Sequence, residues 1–265
     1  MCNILSAFIG RSIRNINIKL YTSDFMAFKE GDFLKVEYSM WRAADNSLLY
    51  TTDKQLAEKS NIYSSEAKYT PQLVVVGKGS VVKGVDAALR KMELNKTERI
   101  ELEPKDAIGE RDPELVRVMP LSDLRSRDIN PYPGMRLNLD GVVATVRSIN
   151  SGRVLVDANH ELAGEKLIYE LKVVEKIEGD KAKVEALAES YSIKAASVSV
   201  ENGAATLAVS EEVDKESSDY FVNKNMFLEA LFKYIEGIKR IEIRETYSRV
   251  KGGKQAASKE QEQRA

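Results

Sequence analysis

The sequence predicts an α+β protein in which a sheet with a short helix is interrupted by a small β module, and a further α+β domain follows. Three observations predict it. Segments that alternate apolar and polar residues dominate the chain, the period of a half-buried strand. Few segments switch to helical spacing. The texture changes at Gly109 and again at Gly179, so the 265 residues divide into parts of unlike character. That length suits one large domain or two to three small ones.

After Gly31-Asp32, Leu34, Val36, Tyr38 and Met40 alternate with Lys35, Glu37, Ser39 and Trp41, which gives a strand with one buried face. Asp45-Asn46-Ser47 carries turn chemistry ahead of LLYTTD. QLVVVG, Gln72 to Gly77, is a β-branched strand ended by glycine. In VKGVDAALRKMEL, Val85, Ala88, Leu89 and Met92 recur at helical spacing. TERIELEP returns to period two with Ile100 and Leu102 inward, and Pro104 ends it.

From Gly109 to Met135 the chain holds four of its six prolines and is expected to be irregular. MRLNLDGVVATVRSINSGRVLVDAN then reads as three short strands, turned at Asp140-Gly141 and Asn150-Ser151-Gly152. KLIYELKVVEKI places Leu167, Tyr169, Leu171 and Val173 on one face and is expected to complete the sheet begun before Gly109. Beyond Gly179, Asp180 is expected to cap a helix carrying Val184, Leu187, Ala188 and Tyr191. SVSVENGAATLAV is a hairpin about Asn202-Gly203, a second helix carries Leu228, Leu231, Phe232 and Ile235, and KRIEIRETY is a last strand. Residues 1–25 read as an irregular extension ahead of the start-like Met26, and residues 249–265 as a disordered tail with nothing to bury.

Composition excludes several function classes. Forty basic against 41 acidic residues leave a formal net charge of −1, which argues against a general nucleic-acid binder. The single cysteine, Cys2, provides no internal disulfide framework and fits a reducing, cytoplasmic setting. One histidine and one cysteine are too few for a zinc or nickel site, and no metal or other cofactor is expected. Nothing approaches about 18 consecutive apolar residues, so no membrane partner is expected. The N-terminal charges Arg11 and Arg14 follow the apolar patch there, the reverse of a secretory signal.

Two stretches carry a family resemblance. VVVGKGSVVKGVDAALRKMELNKTERIELEPKDAIGERDPELV resembles the helix and strands of FKBP-type peptidyl-prolyl isomerases. DGVVATVRSINSGRVLVDANHELAGEKLIYELKVVE resembles their long, SlyD-like branch, in which a β-rich module is inserted in the flap and the chain re-enters the sheet through N-H-x-L-A-G, here Asn159 to Gly164. The resemblance covers about Phe28 to Ile177, and the added C-terminal domain is similar to the archaeal long form. It implies an isomerase domain of residues 26–109 plus 158–177, built as an antiparallel sheet wrapped on a short helix, an insert-in-flap module at 110–157 and a C-terminal α+β domain at 178–248.

Such a domain would accelerate rotation about X–Pro bonds. The barrier is about 18–20 kcal/mol because the amide is resonance-stabilised, and no nucleophile is obligatory. An apolar concave pocket can favour the twisted amide over the planar one. The resemblance implies a site of Tyr38, Leu49, Tyr50, Val81, Val82, Val85, Ile108 and Tyr169. Periodicity alone would assign each of them to ordinary core packing. Two depart from the family pattern: Tyr50 stands where a pocket carboxylate is usual, and Ile108 where a rim aromatic is usual. Reduced isomerase activity and weak binding of macrolide inhibitors follow from those changes.

The inserted module is implied to hold unfolded, proline-containing clients through apolar positions and open strand edges. Those positions otherwise close the module's own small core. A holdase with a weakened pocket is the alternative function, suggested by Tyr50 and Ile108. For the C-terminal domain, self-association and ribosome docking are the two roles to weigh, and no motif chooses between them. His160, the sole histidine, has no partner cluster for acid–base work and is expected to make a structural hydrogen bond across the joint where the chain leaves the module. Its neighbour Glu161 stands where the family often has proline or methionine.

Overall fold

A computed structural model describes residues 28–139 and 141–247. The expectations for residues 1–25 and 249–265 lie outside the described residues. β1 (Phe33–Arg42) organises the main sheet. One of its edges pairs antiparallel with β9 (Leu167–Ile177) from Phe33 opposite Ile177 to Arg42 opposite Leu167. The other edge is shared between β3 (Gln72–Val75), opposite Phe33 to Val36, and β2 (Leu48–Thr51), opposite Ser39 to Trp41. β4 (Thr97–Leu102) takes the far side of β9. The result is a five-stranded antiparallel sheet, β2-β1-β9-β4 with β3 also on β1.

Alternation works as the sequence implies: Leu34 and Val36 of β1 join Leu167, Tyr169, Leu171 and Val173 of β9 in one buried cluster. Across it lies α2 (Lys83–Leu89), contributing Val85 and Leu89. The helix is shorter than its sequence pattern, and Met92 reaches the core from the turn beyond Arg90. Gly84 sets how closely α2 lies on β4, because a Cβ there would come 2.4 Å from Leu102. A second short helix, α1 (Lys54–Lys59), begins where the Asp53 carboxylate accepts from the Gln55 and Leu56 amides. It buries only Ala57, so no apolar period announces it.

Beyond Gly109 the structure is more regular than expected. The proline-rich stretch contains β5 (Val116–Pro120) and α3 (Leu121–Arg125). β5 joins β6 (Arg136–Leu139), β7 (Val142–Asn150) and β8 (Arg153–Asp157) in a four-stranded sheet ordered β5-β8-β7-β6. Pro120 is tolerated because β5 is an edge strand and Pro120 ends it at the start of α3. Leu124, Leu137, Ala144, Val146, Val154 and Val156 fill the module's own core.

The module's entrance and exit are tied together by charge and amide contacts. Asp157, 2% exposed, accepts from Arg111 and from Arg147 Nε at 3.1 Å. Its own burial opposes ionisation, but hydrogen bonds from Asn159, Arg111 and Arg147 prevail and hold the carboxyl well below the usual carboxylate range. Asn159 pairs with the Asp112 backbone in both directions, accepting at 2.8 Å and donating at 2.9 Å.

β9 runs directly into the C-terminal α+β domain. α4 (Asp180–Ser190) starts after Gly179, which has φ 80°; Asp180 is in the first turn and is not the cap. Only glycine enters a helix easily from that left-handed conformation. β10 (Ala195–Glu201) and β11 (Ala204–Val209) form the expected hairpin, and α5 (Ser218–Tyr234) crosses over to β12 (Arg240–Arg244), parallel to β11. α5 buries Tyr220, Phe227, Ala230 and Leu231. Phe232, expected on that face, is 48% exposed. This domain does not close its core alone. Phe33 of β1, Val75 of β3 and Ile177 of β9 belong to the same buried cluster as Leu187, Leu207 and Phe227. Among the described residues, no helix is long and apolar enough to cross a membrane.

Candidate active site

On the α2 side of the main sheet is a cavity of about 470 Å³. All eight residues expected at the site line it. Tyr38 comes from β1 because it shares a face with Val36 and Met40, and Tyr169 from β9 sits on the adjacent strand. β2 contributes Leu49 and Tyr50, while Val81 and Val82 line the turn that enters α2. Val85 and Tyr169 are buried, and the other six are half-buried. Ile108 lies within the turn in which the Gly109 amide donates to the Pro104 carbonyl at 2.8 Å. That turn folds the segment ahead of the module back over the cavity.

Three phenols are among the polar groups of the cavity. Tyr38 stacks on Tyr50 with centroids 5.0 Å apart and planes at 26°. Tyr169 is 6.3 Å from Tyr38. Burial first, then the neighbouring Tyr50 and Tyr169, pushes the Tyr38 hydroxyl above the ordinary tyrosine range. Burial also raises Tyr50 and Tyr169. All three therefore stay neutral near pH 7 and remain donors. Apolar walls with neutral donors can desolvate an amide and accommodate it out of plane.

Other lining residues were not anticipated. Met40 continues the Tyr38 alternation and could have been read from it. Ser80 binds back to its own loop, its hydroxyl accepting from Val75 N at 3.0 Å and donating to Val75 O at 2.9 Å, which fixes Val81 and Val82 in place. His160, Glu161 and Leu162 line the cavity from the re-entry turn. His160 does not bridge the joint as expected. Its Nδ1 accepts from Leu162 N at 3.1 Å within its own turn, and Asn159 and Asp157 make the contacts across the joint. A side chain with a nearby backbone donor spends itself locally, which spacing in the sequence does not reveal.

These features have counterparts in known proteins. The FKBP-type peptidyl-prolyl cis-trans isomerase family matches residues 26–125, and the family described as FKBP26, IF domain, matches residues 117–162. Over 145 residues the chain is 30% identical to the short-type peptidyl-prolyl cis-trans isomerase of Methanocaldococcus jannaschii, covering 55% of this chain and 91% of that protein. The chain belongs to the FKBP-type isomerase family. It is 24% identical over 124 residues to a probable FKBP-type 16 kDa peptidyl-prolyl cis-trans isomerase of Pseudomonas fluorescens, 44% of this chain and 81% of the relative. It is 23% identical over 118 residues to the SlyD isomerase of Helicobacter pylori, 43% of this chain and 64% of the relative.

The FKBP match takes in every site residue from Tyr38 to Ile108, and the insert-domain match takes in the re-entry turn through Leu162. Both end before the C-terminal domain. Tyr50, expected to depart from the family pattern, places a phenol against Tyr38. A phenol cannot accept charge-assisted hydrogen bonds as a carboxylate does.

Proposed function

We propose that this FKBP-family chain accelerates cis/trans isomerisation of X–Pro bonds in unfolded polypeptides and holds those clients with its inserted module. The supporting observation is the cavity, which gathers Tyr38, Tyr50, Val82, Ile108 and Tyr169 from separate segments into one largely apolar hollow. A prolyl ring buried there leaves water, and its amide loses the solvation that favours the planar, more polar form. The phenol donors can follow the carbonyl oxygen as the bond twists. No proton transfer is needed. The module supports the holding role with exposed Leu115, Val118, Tyr132, Val142 and Val143 and with β5 and β6 as open edges.

The alternative is a holdase whose pocket no longer turns over. One observation favours it: the Tyr50 ring stacks on Tyr38 within the cavity lining. NMR exchange measurements on a short X–Pro peptide, with wild type and Tyr50→Asp, separate the two. Acceleration by wild type, and more by the variant, supports the isomerase. Acceleration by the variant alone selects the holdase.

For the C-terminal domain, self-association fits better than ribosome docking. Phe221, Val222, Met226 and Phe232 are exposed along α5, with Asp219 toward one end of the stripe and Lys233 toward the other. An antiparallel second copy would set Asp219 of each helix against Lys233 of its partner, with Met226 at the centre.

A further inference from the structure

Among the residues lining the isomerase cavity, Glu161 is the one with a formally charged carboxylate. It is exposed on the re-entry turn, and among the described residues its carboxylate has no hydrogen-bond or ion-pair partner. The surrounding groups do not neutralise it. Tyr38, Tyr50 and Tyr169 are neutral donors, and His160 commits its Nδ1 to the Leu162 amide. Low-dielectric walls beside an uncompensated charge strengthen its field at the mouth of a cleft.

We infer that Glu161 selects among client prolines, favouring those with lysine or arginine next to the proline. The inference rests on the cavity being the place where the prolyl segment binds. It gives the substrate class a sign that the apolar walls alone cannot supply. The carboxylate is solvent-exposed, so its contribution is the modest one of a partly screened ion pair.

Blocked pentapeptides with one proline, flanked by lysine, leucine or glutamate, test it by NMR titration for Kd and by exchange spectroscopy for rate. Wild type should bind the lysine peptide roughly two- to fivefold more tightly than the glutamate peptide. The gap should shrink as NaCl rises from about 0.02 to 0.5 M. Glu161→Gln should bring the two affinities together, and Glu161→Lys should reverse their order. Equal affinities with wild type, or a preference that survives in Glu161→Gln, overturns the inference. A preference in Kd without faster exchange supports the charge selection and overturns the isomerase reading instead.

Discussion

Tyr38, stacked on Tyr50, brings a neutral hydroxyl donor to the cavity wall. A neutral hydrogen bond contributes about 0.5–1.5 kcal/mol net, which is roughly two- to twelvefold in rate. Tyr38→Phe, which removes that donor and keeps the ring, should therefore lower kcat/KM on a short X–Pro peptide by about that factor. Elsewhere, Glu245 Oε1 accepts from Tyr220 and Lys224, each at 2.7 Å, and Oε2 from Tyr247 at 2.8 Å. Those bonds, Lys224's foremost, bring the carboxyl from 4.5 down to about 2. A depressed folded-state pKa gives stability that is complete above the unfolded value and is lost as pH falls toward the folded one. Glu245→Gln should lower Tm at pH 7 and flatten its fall between pH 4.5 and 2, measured by circular dichroism. At this scale the eight cavity residues were legible only through family motifs. Alternation marks Tyr38 as inward but cannot distinguish a cavity wall from a filled core.

Elements were legible wherever one period dominated. β1 and β9 alternate cleanly because one face meets α2, and the Asn202-Gly203 hairpin follows from φ values of 50° and 75° that those two residues tolerate. β5 and α3 were hidden because proline dominates a reading of local propensity, although an edge strand tolerates it. α5 misled for another reason. It carries apolar residues on its solvent side as well as its buried side, so Leu228, Leu231, Phe232 and Ile235 looked like a core stripe. If the outer side meets a second copy, Met226→Lys at its centre should shift the mass seen in sedimentation velocity toward the monomer at micromolar concentration. It should leave the far-ultraviolet spectrum unchanged, because Met226 is 48% exposed.

For the whole molecule, the arrangement of three sheets was predictable from texture, but the shared core was not. Phe33 falls outside the Leu34-to-Met40 face, yet it is 0% exposed because the C-terminal domain covers the reverse side of the main sheet there. Lys183 of α4 places its ammonium 5.3 Å from that ring. Long-range packing of this kind leaves no local period. The module is more self-contained, and Asp157 secures its neck. Asp157→Ala should lower protection of β7 and β8 amides in hydrogen exchange by about 1.5–3 kcal/mol, the worth of hydrogen bonds to a charged group.

β9 is central in the main sheet, yet it follows the module in the chain. Phe33 must wait for Ile177, and β4 for Leu167, before either can pair with it. Folding the module first clips Arg111 and Asp112 to Asp157 and Asn159. The loop left to close between β4 and β9 is then roughly fourfold shorter, about 1.2 kcal/mol less costly in entropy. On a ribosome, β8 is complete before β9 begins, so the module can close while the sheet around Tyr38 still lacks its middle strand. This strand order lets the insertion act as a timing device for the domain it interrupts, able to finish its own fold first and deliver the last strand to a gap already narrowed.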